Sequence, residues 1–318
     1  MIMNTNRRQF LTISAALAAA GTIGLPLRGA LAAEKIKIGF SQGTMNHPWR
    51  IAMVEVNEKY ATEHYPDLDI IVTDGNNDAA KQVADVESLL TQGIKVLVIS
   101  PLTEQALTPV VKDAMAQGIP VLTLDRKVNT EVNCHLGGLN LPLGEGAGKF
   151  LINALPNGGN IIELQGTAGA SATNDRHKGF ENAISGISAF KVVANQNCDY
   201  TRDKAVKFME DMLQRFKPGE IQAVYAHNDE MALGAIQVME AAGRLEGVKV
   251  IGMDGQNTAF QAIKDGKMSA CFIYPFCAPE GIQTAYKMAK GEAVDKEITL
   301  PTVQVSSDNV DQFLGKGI

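Results

Sequence analysis

The chain has 318 residues, 45% of them hydrophobic, with 29 basic against 35 acidic side chains and a formal charge of −6. That balance argues against nucleic acid and anionic membrane surfaces as partners, because both are bound through an excess of Lys and Arg. The length suits two domains rather than one core.

Residues 1–33 read as an export signal. Arg7-Arg8-Gln9-Phe10-Leu11 is a twin-arginine signature, and an Ala/Gly-rich apolar run from Ile13 to Leu27 follows. Ala30-Leu31-Ala32 is an A-x-A cleavage site, so the mature chain is expected to start near Ala32/Ala33 in the periplasm. Gly21, Gly24 and Pro26 interrupt the run, which argues against a retained membrane anchor. No cysteine precedes Cys134, so none is available for a lipid at the cleavage site. The leader carries three arginines and no acid, and its removal takes the formal charge from −6 to −9.

From Lys35 the pattern alternates strand and helix. Strands are expected at Ile36–Gln42, Asp69–Asp74, Val96–Ser100, Val121–Arg126 and near His135–Gly138. Amphipathic helices lie between them, at about 49–64, 78–92 and 104–117. Asn77 or Asp78 caps the second, and Gly93 and Gly118 stand where helices stop. The rhythm restarts with strands at Asn160–Gln165, Lys191–Cys198, Ala223–His227, Lys249–Met253 and Met268–Tyr274. Two such series mean an α/β protein of two similar doubly wound parallel-sheet lobes. A helix at Pro279–Lys290 and a last strand, Ile298–Ser306, are expected to return to the first lobe. That gives crossovers near Gly138, Tyr274 and Ser306 and a hinge between the lobes. The expected division is 34–138 with 275–305 for the N-terminal lobe and 139–274 with 306–318 for the C-terminal lobe.

Cys134, Cys198, Cys271 and Cys277 fit no redox or zinc spacing. The twin-arginine route carries folded proteins out of a reducing cytoplasm, so free or buried thiols are expected.

The strand ends carry the chemistry. In an open α/β sheet the carboxyl ends of strands open onto the ligand crevice. Val121 to Leu124 is apolar and ends in Asp125-Arg126, two carboxylate acceptors beside five guanidinium donors. Such a pair either contacts a polyhydroxylated ligand or pins a loop. Other strands end alike, in Gln165-Gly166, Cys198-Asp199-Tyr200, His227-Asn228-Asp229, Asp254-Gly255 and Tyr274. Trp49 and Tyr200 either present flat faces to a sugar ring or pack against the sheet.

Several long segments, in order, resemble the periplasmic sugar-binding proteins of ABC importers, the ribose/galactofuranose-type group. They are Ile119–Arg126, Ile162–Ser171, Arg176–Phe180, Tyr225–Ile236 and Gly252–Gly255. The resemblance spans nearly the whole mature chain. It implies the type I periplasmic binding protein fold, two lobes joined by three strands that close on the ligand. It implies that Trp49 and Tyr200 stack on the sugar, and that Asp125, Arg126, Arg176, Asn228 and Asp254 contact hydroxyls. His47, Arg50 and Tyr274 match ligand-contacting positions that differ in ribose binders, which points away from plain ribose. The implied function is a substrate-binding protein that passes a monosaccharide or polyol to an ABC permease and its ATPase subunit. A monomer is expected, with no cofactor and no metal. The alternatives are a sugar sensor subunit for a membrane receptor and a carbohydrate-active enzyme. Repressors of similar architecture carry an N-terminal helix-turn-helix, where this chain has an export signal.

Enzyme motifs are weak. Gly144-Glu-Gly-Ala-Gly-Lys149 lacks the phosphate-loop spacing and reads as a helix of small residues. Asp74–Asp78 is a partial calcium loop, but Ala79 replaces the required glycine, and capping explains it. Asp125 and Asp254 are a conceivable glycosidase pair. Arg126 and Arg176 beside them are expected to keep both ionised, which favours hydrogen-bond acceptance over acid catalysis.

Overall fold

The computed structural model describes residues 35–318. The expected export signal, residues 1–33, lies outside the described residues.

The first half runs β1 (Ile36–Gln42), α1 (Pro48–His64), β2 (Leu68–Asp74), α2 (Ala79–Thr91), β3 (Val96–Ser100), α3 (Glu104–Ala116), β4 (Val121–Leu124) and β5 (Cys134–Gly137). The second half repeats it with α4 (Asn140–Ala154), β6 (Gly159–Gln165), α5 (Ser171–Ile184), β7 (Phe190–Asn197), α6 (Arg202–Arg215), β8 (Ala223–Ala226), α7 (Asp229–Ala241), β9 (Lys249–Asp254), α8 (Asn257–Lys264) and β10 (Ala270–Ile273). Then come α9 (Glu280–Ala289), β11 (Glu297–Thr299) and β12 (Val303–Ser306).

The strands form two sheets of six, ordered β2-β1-β3-β4-β5-β11 and β7-β6-β8-β9-β10-β12. Every pair is parallel except the antiparallel β10–β12. Both sheets reverse their order beside the first strand of the half. There, neighbouring connections leave to opposite faces and open a crevice at the strand ends. All five residues of β3 are buried, as a strand covered by helices on both faces requires. Burying each large apolar side chain of that kind contributes about 1.5–3 kcal/mol.

Local chemistry sets the boundaries. β4 stops at Leu124, two residues short of expectation, because Asp125 adopts φ +62°, outside the strand region. Asp78 caps α2, its Oδ1 accepting from the Ala80 amide at 2.8 Å and the Lys81 amide at 3.2 Å. The Asp74–Asp78 stretch is therefore a cap.

The expected single strand Ile298–Ser306 is two strands in different sheets. β11 pairs with β5, and β12 pairs with β10. Pro301 lies in the break, where it lacks the N–H a ladder needs. The helix α9 does return to the first half: Asn57 of α1 accepts from the Ile282 amide at 2.8 Å. The chain thus passes between the sheets three times. All four cysteines are free and buried. No described helix is long and apolar enough to cross a membrane.

Candidate functional site

Loops from the carboxyl ends of both sheets meet around a cleft. Its lining is His47, Trp49, Arg50, Asp125, Ala172, Arg176, Tyr200, Asp254 and Tyr274. Eight of the ten residues expected at the site thus stand together. Arg126 and Asn228 lie just behind them.

The first-half wall is built on α1. Pro48 opens the helix with its preset φ, which puts Trp49 and Arg50 in the first turn. The Trp49 indole N–H donates to the Tyr274 carbonyl at 2.9 Å, tying this wall to the crossover after β10. Arg50 donates to the Ser100 hydroxyl at 2.6 Å and to Asp125 Oδ2 at 2.5 Å. His47 lies between the aromatic rings, its centroid 6.5 Å from that of Trp49 and 6.0 Å from that of Tyr200.

The second-half wall is built on α5 and the ends of β7 and β9. Arg176 Nε donates to Asn140 Oδ1 at 2.8 Å, and its Nη1 donates to the His227 carbonyl. The guanidinium lies 4.6 Å from the centre of the Tyr274 ring, within cation–π range. Tyr200 sits over Gly166, where an added Cβ would come within 2.0 Å of its ring. The Tyr200 hydroxyl shares a hydrogen bond of 2.9 Å with Thr173.

Arg126 reaches the site from the side. Its guanidinium lies 5.3 Å from the Tyr200 ring centre, and Nη1 donates to the Leu102 carbonyl at 3.1 Å. Asn228 is committed elsewhere: Oδ1 caps α7 through the Met231 amide at 3.0 Å, and Nδ2 donates to the Tyr200 carbonyl at 3.0 Å.

Charge is unevenly distributed. Burial pushes the Asp125 carboxyl up, but the guanidiniums of Arg50, Arg126 and Arg176 outweigh it and hold Asp125 below the usual range. Burial drives His47 down, with Arg50 and Arg126 adding to it, so this imidazole is neutral at pH 7. Asp254 departs from expectation. Burial, with Asp229 nearby, pushes its carboxyl well up despite Arg176 and Arg50. Asp229 itself, buried at the start of α7, is raised to about 7. The expectation that the arginines keep both cleft acids ionised therefore holds for Asp125 and fails for Asp254, where desolvation outweighs the attraction.

Several polar atoms here are buried without a hydrogen-bond partner among the described residues. They include both His47 ring nitrogens, Arg50 Nε, Arg126 Nε and Nη2, and Asp254 Oδ2. Each such group costs about 1–3 kcal/mol if left unmatched. Three of the lining residues, or those beside them, have strained backbone: Asp125, Tyr200 and Asp254 take φ of +62°, +63° and +126°. Strain of about 1–3 kcal/mol per residue collects where a site over-determines its geometry. The cleft therefore combines flat rings with unmatched donors and acceptors. Among the described residues no group of three or more His, Cys, Asp or Glu could hold a metal.

Sequence reasoning missed Ser100, Asn140 and Ala172. Ser100 is a strand-end residue like those singled out, so that rule would have found it. Asn140 opens a helix at the crossover and left no pattern.

The sequence matches the family described as periplasmic binding protein domain over residues 38–293. It is 36% identical to ribose import binding protein RbsB of Bacillus subtilis (strain 168) over 274 residues, 84% of this chain and 86% of that protein. It is 31% identical to galactofuranose-binding protein YtfQ of Escherichia coli (strain K12) over 303 residues, covering 92% of each. A solved ABC transporter solute binding protein from Mycobacterium smegmatis, with bound glycerol, superposes with a TM-score of 0.82 at 40% identity. That match covers 88% of this chain and 97% of that chain.

Proposed function

Because this chain belongs to the periplasmic binding protein family, we propose that it captures a monosaccharide or related polyol between its lobes. It then delivers this ligand to an ABC permease and its ATPase subunit. In this reading the protein is exported, works as a monomer in the periplasm and performs no catalysis. The observation that carries it is the cleft: ring faces beside buried charged groups with unmatched donors and acceptors. Trp49, Tyr200 and His47 meet the C–H faces of the sugar. Arg50, Asp125, Arg126, Arg176 and Asp254 take its hydroxyls, and Tyr274 closes the hinge side. Asn228 serves by holding Tyr200. Names of relatives supporting the ligand class cover ribose, galactofuranose and a bound glycerol.

The test is a thermal-shift screen of the mature protein against D-ribose, D-galactose, D-fructose, xylitol, myo-inositol and glycerol. A ligand at ~100 times its dissociation constant stabilises the fold by about 2.7 kcal/mol. The bound sugar is then released and analysed. A shift with unaltered sugar is expected. Product release would overturn the non-catalytic reading, and no shift with any member would overturn the sugar reading.

A further inference from the structure

Behind the second-half wall Glu163 and His227, fully buried and outside the cleft lining, join side chains that run from Arg176 to His177. Glu163 of β6 is fully buried. Its Oε1 lies 3.0 Å from His227 Nε2 and 2.9 Å from His177 Nδ1. Its Oε2 accepts from Gln165 Nε2 at 3.1 Å. The Gly166 amide points at His227 Nδ1 at 3.4 Å, so that nitrogen accepts and Nε2 carries the proton donated to Glu163. The His227 carbonyl in turn accepts from Arg176 Nη1, and the Tyr225 hydroxyl donates to the Arg176 carbonyl at 3.2 Å.

Two cleft residues therefore rest on His227: Arg176 through its carbonyl, and Tyr200 through Gly166 beneath the ring. A buried carboxylate is costly unless paired and hydrogen-bonded. An apolar residue would fill this position in the sheet at less cost, so the acid calls for another role.

We propose that Glu163 is a positioning residue for the cleft, setting the Arg176 guanidinium and the Tyr200 ring through His227, and that His177 connects this setting to solvent. The proposal rests on the reading of the cleft as a sugar site. His177 follows Arg176 on α5 and is 32% exposed. It is faced by Glu163 and, from its own helix, by Glu181, whose Oε1 lies 3.5 Å from its Nε2. His227 is faced by Glu163, Arg176, the Tyr225 ring and, across Glu163, His177. Burial pushes Glu163 up, but the hydrogen bonds from His177 and His227 bring it down to about 2, so it stays ionised. The same hydrogen bond holds His177 above its ordinary value. Burial keeps His227 below its own. Below its raised pKa the charged His177 clamps Glu163. As pH rises through that value the clamp loosens, and sugar affinity falls.

The experiment compares wild type, Glu163→Gln and His177→Ala. Ligand-free protein labelled with ¹⁵N is followed by NMR through the Arg176 Nε–H resonance and the His177 titration. Affinity is measured by calorimetry between pH 6 and 9, with whichever sugar of the panel gives the largest thermal shift. Asp229 and Asp254 also lie in this region, so the effect of pH is read as the difference between wild type and His177→Ala.

Glu163→Gln is expected to shift the Arg176 resonance, lower the His177 midpoint by about one unit and weaken binding about tenfold or more, one charge-assisted hydrogen bond lost. His177→Ala is expected to fold normally and to flatten the pH profile. A Glu163→Gln protein with a lower melting temperature, an unmoved Arg176 resonance and affinity within about twofold of wild type would overturn the proposal. So would a pH profile unchanged in His177→Ala, which decides the matter if Glu163→Gln fails to fold. If wild type binds no member of the panel, the sugar reading has failed, and the NMR of the ligand-free protein alone decides the positioning.

Discussion

At the scale of the residue, Asp125 meets several constraints at once. It ends β4 in a left-handed conformation, faces Arg50 at 2.5 Å and keeps its charge among three guanidiniums. Asp125→Asn is the informative substitution, because Asn also tolerates positive φ while losing the charge. Sugar binding is expected to weaken by ~1.5–3 kcal/mol per charged hydrogen bond lost, more than tenfold. Calorimetric affinity and the melting temperature of the ligand-free protein are measured on the same variant. Intact affinity with a lowered melting temperature would make the Asp125–Arg50 pair a loop pin and remove it from the site. Asp125 was legible because an anion closing an apolar strand is a local pattern. Arg50 was expected at the site as well, but its pairing with Asp125 was not, since their 75-residue separation is bridged only by the sheet order. The state of Asp254 was also hidden, because desolvation depends on what the fold stacks around a group.

At the scale of the element, the pairing of α4 with α5 places Arg176. The backbones touch: a Cβ on Gly179 would come within 2.1 Å of the Leu141 carbonyl oxygen, and one on Gly144 within 2.2 Å of that of Arg176. The Gly144–Lys149 stretch, a helix of small residues in sequence, thus owes Gly144 and Gly148 to contact with α5, while Gly146 faces the Phe272 ring of β10. Gly179→Ala is expected to push the helices apart and destabilise the protein by about 1–3 kcal/mol, or more since the clash is with backbone. Urea denaturation measures it, and an unchanged midpoint would refute the close approach. Helices and strands were legible almost throughout, because burial on a 3.6- or 2-residue period is written locally. The third crossover was misplaced because β11 and β12 are three- and four-residue strands separated only by a proline-containing turn.

At the scale of the whole molecule, the halves are held across the cleft by backbone as well as side chains. The Glu104 amide donates to the Gly169 carbonyl at 3.0 Å, Asn174 Nδ2 to Glu104 Oε2 at 3.0 Å, and the Lys127 amide to the Ser171 hydroxyl at 2.8 Å. The twin-arginine reading of Arg7-Arg8 also concerns the molecule as a unit, since that route would carry it already folded. Replacing Arg7-Arg8 by Lys-Lys is expected to leave precursor in the cytoplasm, as measured by fractionation and immunoblotting. Mature protein reaching the periplasm at the normal rate would discard the twin-arginine reading. The late pair of short strands has a consequence for synthesis. β11 and β12 are outermost strands of their sheets, yet in chain order they follow every other strand described. The two sheets can therefore not both be completed until residue 306 has been added, and at about 5–20 residues per second the nascent chain waits with β5 and β10 uncovered. A product cut short before residue 297 leaves two templates for intermolecular pairing, so chaperone demand should fall once residues 297–306 are in place.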